Sequence, residues 1–182
     1  MDRDDVRTAL ERHHRESFGW ALACCAQDPE AAADVLQTAY LKVLEGRARF
    51  DGRSAFRTWL FAVIRNTAAD DRRRRRLRRL RLIRYAEEAD RPAHAPPEDE
   101  RLDGHARQTQ FRALLARLPR RQREALHLVF YHDLTIREAA DVMGVSLGSA
   151  RTHYERGKKR LRQWLTTDDD ETGRRSAESA LS

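Results

Sequence analysis

The chain has 182 residues, with 36 Lys and Arg against 29 Asp and Glu, a formal net charge of +7 and a pI near 10.1. That balance favours a polyanionic partner, because each cation set against a phosphate releases condensed counterions. The two cysteines, Cys24 and Cys25, are adjacent, which excludes a disulfide framework and fits neither a structural zinc site nor a redox pair.

At the N-terminus, "MDRDDVRTALERHH" is too charged for a signal peptide, and no apolar run approaches the ~18 residues of a membrane span. A reduced, soluble cytoplasmic protein without membrane insertion is expected. From Val6 onward, Val6, Leu10, Phe18, Leu22 and Cys25 recur at close to a helical period. Asp28 is placed to cap the next helix, with Pro29 at its first position. That helix has a clear apolar stripe of Ala32, Val35, Leu36, Ala39, Tyr40, Val43 and Leu44. Gly46 and the polar "GRARFDGRS" close it. A further helix puts Phe56, Trp59, Leu60, Val63, Ile64 and Thr67 on one face. It continues into "DDRRRRRLRRLRLIR", which holds nine arginines within residues 72–84, since nothing between Phe56 and Ile83 is Gly or Pro.

The segment "EEADRPAHAPPEDERLDGH" is polar and contains three prolines, so residues 85–107 are predicted to be a flexible linker. The second block begins with Phe111, Leu114, Leu115 and Leu118, and Pro119 opens its next helix. Thr135 with Glu138 forms a capping box, Gly144 stops the following helix, and Ser146 caps the last one. Ala150, Tyr154, Gly157, Leu161 and Trp164 form the inner face of that last helix, and the tail 166–182 is expected to be disordered. Strand-type alternation is absent. The fold class is therefore all-α, two small helical domains joined by a linker.

A short helix, a Gly-centred turn and a second helix with a polar, basic outer face make a helix-turn-helix plan. Ser149, Arg151, Thr152, His153, Glu155 and Arg156 lie on the outward face. Arg can pair bidentately with guanine, Glu can accept from cytosine, and Ser or Thr can serve bases or phosphates. The competing reading is a helical hairpin with a solvated charged face.

Together, "DVLQTAYLKVLEG", "FRTWLFAVIRNTAADDRRRR" and "LPRRQREALHLVFYHDLTIREAADVMGVSLGSARTHYERGKKRL" resemble bacterial RNA polymerase sigma factors, most closely the small extracytoplasmic-function (ECF) type. The resemblance covers residues 8–84 and 108–165, in the right order and at the right separation. It implies a factor without catalytic chemistry or cofactor that binds core RNA polymerase, places it on a promoter and helps melt the duplex. It also implies that the helix from Ala32 to Leu44 docks on the beta-prime clamp through Asp34 and Gln37. The helix from Phe56 would read the minus-ten element, with Asn66 in the pocket for a flipped base, Phe50 a candidate for stacking, and Arg72, Arg73 and Arg76 on phosphates. Phe56 is as readily core, and Trp59 is read as core. In the last helix Arg151, Thr152, Glu155 and Arg156 would face bases of the minus-thirty-five element, while Ser149, His153 and Lys158 reach phosphates. Members of the family are commonly held inactive by an anti-sigma partner. The chain departs from the family in having Ala32-Ala33 where an acidic pair is frequent and Leu44 where Trp is common.

Two other function classes compete. A helix-turn-helix regulator acting without polymerase would need only the second block. An enzyme or metal site built from His13-His14 and Cys24-Cys25 is disfavoured, because neighbouring side chains on a helix point apart and no carboxylate pair, nucleophile constellation or phosphate-cradling Gly loop is present.

Overall fold

The computed structural model describes residues 2–85 and 114–179, with side chains described to residue 80 in the first part and from 114 to 165 in the second. The chain divides into two compact units, Met1–Asp103 and Gly104–Ser182. Tyr85, expected to begin the linker, ends the last helix of the first part; residues 86–107 lie outside the described residues, and so do Phe111 and the boundary at 108.

Unit 1 is built of α1 (Arg3–Arg12), α2 (His14–Cys24), α3 (Pro29–Leu44) and α4 (Phe56–Tyr85). The sequence period runs through residue 13 without a break, yet the backbone interrupts at His13 (φ −97°, ψ 9°). The break lets Leu10 of α1 and Trp20 of α2 both reach the interior. Pro29 occupies the first position of α3, and the Asp28 carboxylate accepts from Ala31 N at 3.0 Å, as the cap residues predict. Between α2 and α3 the chain turns through Ala26 and Gln27, both in the left-handed region (φ 57° and 67°).

The core is formed where α3 and α4 pack on α2. Trp20 is fully buried, stacks on Phe61 at a centroid distance of 6.0 Å and donates its indole N–H to the Phe61 carbonyl at 3.0 Å. Buried with this pair are Ala32, Val35, Leu36 and Ala39 of α3 and Leu60, Ile64 and Ala68 of α4. The inner stripe of α4 is thus Leu60-Phe61-Ile64-Ala68, rotated from the one expected. Phe61, which the periodicity did not single out, is fully buried. Trp59 and Val63, expected in the core, are only half-buried.

Unit 2 comprises a helical turn at 114–117, α5 (Arg120–Phe130), α6 (Ile136–Met143) and α7 (Leu147–Ser179). Its core joins Leu114, Leu115, Leu118, Leu126 and Leu161, with Tyr154 and Trp164 packed at the edge. Buried Ala139, Ala140 and Ala150 allow α6 to approach its neighbours closely. Gly157 does the same between α7 and α5, where a Cβ would come within 2.8 Å of Leu126 Cδ1. The backbone of α7 is helical to Ser179, past the boundary at 165 expected from sequence. No Gly or Pro lies between Lys158 and Thr172 to stop it.

Candidate nucleic-acid interface

In unit 2 the turn between α6 and α7 is determined by local chemistry. Thr135 Oγ1 accepts from Glu138 N at 3.2 Å, and the Glu138 carboxylate accepts from Thr135 N at 2.8 Å. At the other end Gly144 is left-handed (φ 61°, ψ 44°), and Val145 N donates to Ala140 O at 3.1 Å. Ser146 Oγ then accepts from Ser149 N at 3.1 Å and starts α7. A second device fixes the end of α6. Arg121 Nη1 donates to Met143 O at 3.0 Å, placing a cation on the carbonyl end of the helix dipole. Its neighbour Glu124, almost fully buried, pairs with Arg120 at 2.6 Å and lies 3.6 Å from Arg121.

These constraints leave one face of α7 outward. Ala150, Gly157 and Leu161 are buried, whereas Arg151, Thr152, Glu155 and Arg156 are exposed. Lys159 shares their face at helical spacing and is also exposed, a residue the sequence reading did not include. Thr152 Oγ1 donates to Gly148 O at 2.9 Å, so its hydroxyl proton is engaged and its lone pairs face outward as acceptors. Ser149 is exposed and hydrogen-bonds the capping Ser146. His153 and Lys158 are half-buried at the two flanks of the helix, and Lys158 lies over the Tyr154 ring at 5.7 Å. Such flanking positions suit the walls of a groove more than its floor.

In unit 1 the loop between α3 and α4 carries two left-handed glycines, Gly46 (φ 70°) and Gly52 (φ 75°). It delivers Phe50 against the start of α4. Phe50, Phe56 and Trp59 form a three-ring cluster with centroids 5.3–5.4 Å apart, each ring half-buried. Phe56, Trp59, Val63 and Asn66 follow one another at three- and four-residue steps, and Asn66 is exposed. An aromatic shelf therefore leads along α4 to a side chain that can donate to and accept from a base edge. Base-on-ring stacking is tolerant of sequence, and the outward tilt of Trp59 makes it part of this surface.

The arginines of α4 divide into two kinds. Arg73, Arg74, Arg75 and Arg76 are exposed; Arg73 pairs with Asp70 at 3.2 Å and Arg75 with Asp71 at 2.6 Å. Arg72 has another position. It is half-buried, and its Nη1 donates to Cys24 O at 2.6 Å, sealing the carbonyl end of α2. The structure thus occupies Arg72 with helix capping, apart from the exposed set that includes Arg73 and Arg76. Beside it, burial pushes the Cys25 thiol up to about 11, against the opposing field of Arg72.

On α3, Asp34 and Gln37 are both exposed, one turn apart. Asp34 borders a small polar cleft shared with α4, and Gln37 borders an apolar groove lined by Phe18, Leu36, Leu41 and Leu44. Ala32, where the family often has an acidic residue, is fully buried, so its side chain belongs to the interior; Ala33 is exposed. Among the described residues, no three His, Cys, Asp or Glu side chains gather as metal ligands, and no helix is long and apolar enough to cross a membrane.

Comparison with known proteins agrees with this geometry. Residues 9–78 match the Sigma-70 region 2 family and residues 108–161 match Sigma-70, region 4. The ECF RNA polymerase sigma factor SigC of Mycobacterium tuberculosis is 32% identical over 150 residues, covering 82% of this chain and 78% of the relative. The ECF RNA polymerase sigma factor EcfG of Rhodopseudomonas palustris is 31% identical over 170 residues, covering 93% and 87%. In the solved structures, RpoE of Bartonella quintana, in complex with the anti-sigma factor NepR, aligns with a TM-score of 0.67 at 23% identity, over 90% of this chain and 98% of that one.

Proposed function

Because the chain belongs to the sigma-70 family, in its ECF group, we propose that it binds core RNA polymerase along the exposed edge of α3, reads the minus-ten element with α4 and the minus-thirty-five element with α7. The polymerase supplies the chemistry, and this chain selects the site and helps open it. It works in the cytoplasm, where polymerase and promoters are.

The observation that carries this reading is the pairing of two different DNA surfaces in one chain. The outer face of α7 is polar, cationic and convex, fit for the major groove of a closed duplex. The shelf of Phe50, Phe56 and Trp59, with Asn66 two turns further along α4, is of no use to a closed duplex, whose base faces are stacked on each other. It suits an unpaired strand. Unstacking a base costs a few kcal/mol, and stacking on aromatic rings returns about 1–3 kcal/mol per base. Exposed arginines after Asn66 would follow the backbone of the same strand, while Asp34 and Gln37 mark the polymerase edge.

A regulator acting through duplex binding alone would have no use for that shelf. An anti-sigma partner belongs to the same proposal, and the apolar groove bordered by Leu41 and Leu44 offers such a protein a surface. Run-off transcription tests the function. Added to core polymerase, the chain should give a promoter-specific transcript that neither component gives alone. A chain that footprints duplex operator tightly without polymerase, and yields no transcript with it, would refute the reading.

A further inference from the structure

Lys42 reaches from α3 to α4 across the polar cleft that also receives Asp34, Thr38 and Asp70. Its Nζ donates to Thr67 Oγ1 at 3.1 Å and lies 3.6 Å from Asp70 Oδ2. The other oxygen of the same carboxylate, Asp70 Oδ1, accepts from Arg73 Nη2 at 3.2 Å. One carboxylate is therefore held between two cations of unequal freedom. The Lys42 side chain is 24% exposed and fixed by Thr67, which is buried; the Arg73 side chain is 75% exposed.

An exposed pair one helical turn apart opens at little cost, so Arg73 can exchange Asp70 for a phosphate. That exchange would leave Asp70 facing the incoming phosphate with like charge. Lys42 cannot follow Arg73, because it is tied to Thr67 on the inner side. We propose that Lys42 is a positioning residue for promoter binding: it keeps Asp70 neutralised while Arg73 changes partner. The inference rests on the reading of α4 as the minus-ten helix.

The test uses reconstituted holoenzyme and measures open-complex formation on a linear duplex promoter. Lys42→Met, which keeps the stem and removes the charge, should reduce it about three- to fivefold, the scale of a partly exposed ion pair. Lys42→Arg should retain most of it. Adding Asp70→Asn to Lys42→Met should restore it, since the uncompensated carboxylate is then gone, while affinity for core polymerase stays unchanged throughout. An unaltered Lys42→Met holoenzyme would overturn the proposal. So would a loss that Asp70→Asn fails to restore, because the bond to Thr67 would then be merely structural. Asn66→Ala and Arg73→Ala distinguish the underlying reading: if both are silent, α4 does not read the promoter and the inference falls with it. If both impair opening while Lys42→Met does not, only the inference fails.

Discussion

The close approach of α7 to α5 at Gly157 gives a quantitative prediction. A Cβ built on Gly157 lies 2.8 Å from Leu126 Cδ1 and 3.2 Å from Gln122 Cβ, inside the optimal carbon–carbon separation of roughly 3.5–4.0 Å. Leu126 is 1% exposed, so its methyl has no solvent to move into. In Gly157→Ala the gain in helix propensity, ~1 kcal/mol, offsets part of an overpacking cost of ~1–3 kcal/mol, and the net destabilisation should be about 1 kcal/mol. Gly157→Val adds two further methyls at the same spot with little propensity gain, so about 3 kcal/mol is expected. For a unit of this size that corresponds to a fall in melting temperature of at least ~10 °C. Gly148 is the control on the same helix: it is exposed, and nothing lies within 4 Å of its Cβ position. Gly148→Ala should therefore raise stability by about 0.5 kcal/mol. Thermal unfolding of the full chain followed by circular dichroism reads all three variants. A Gly157→Val protein that melts within ~2 °C of the parent would refute the packing argument.

Arg151→Ala should cost about 1–3 kcal/mol at one base position of the minus-thirty-five element; an equal loss on every sequence would mark a phosphate contact instead. Asn66→Ala should impair promoter opening more than duplex binding, and permanganate footprints of unchanged intensity would contradict this. The Cys25 thiol is raised from 9.0 to about 11, chiefly by burial. Its neutral form is thus favoured in the fold, a contribution present below pH 9 and lost as the pH rises through about 11. In a Cys24→Ala background, alkylation by iodoacetamide should keep accelerating beyond pH 9, and a rate that levels off there would disprove the shift.

What could be read from sequence was local in origin. The Thr135–Glu138 box, the left-handed Gly144, the Asp28 cap and the stripe of α3 involve residues a few positions apart, and the structure shows each of them. What escaped was set by tertiary contact. Trp59 and Phe61 exchange their expected burial because α2 meets α4 slightly off the apolar stripe, with Trp20 fixed on the Phe61 carbonyl. Arg72 looked like one more cation of a run, yet its partner is a carbonyl 48 residues earlier. Lys42, whose partners lie on α4, and Lys159 carried no signal beyond their charge.

The two helix-sealing arginines change how the basic composition translates into thermodynamics. Arg72 and Arg121 direct N–H groups at the carbonyl ends of α2 and α6, while Arg120 faces the buried carboxylate of Glu124. Guanidinium groups turned into the fold in this way do not reach phosphates and displace no condensed ions when DNA arrives. The salt dependence of promoter binding, with a slope of about −0.9 per neutralised duplex phosphate, should therefore register fewer contacts than the arginine-rich sequence suggests. By this device a strongly cationic chain can limit its non-specific adhesion to bulk chromosomal DNA.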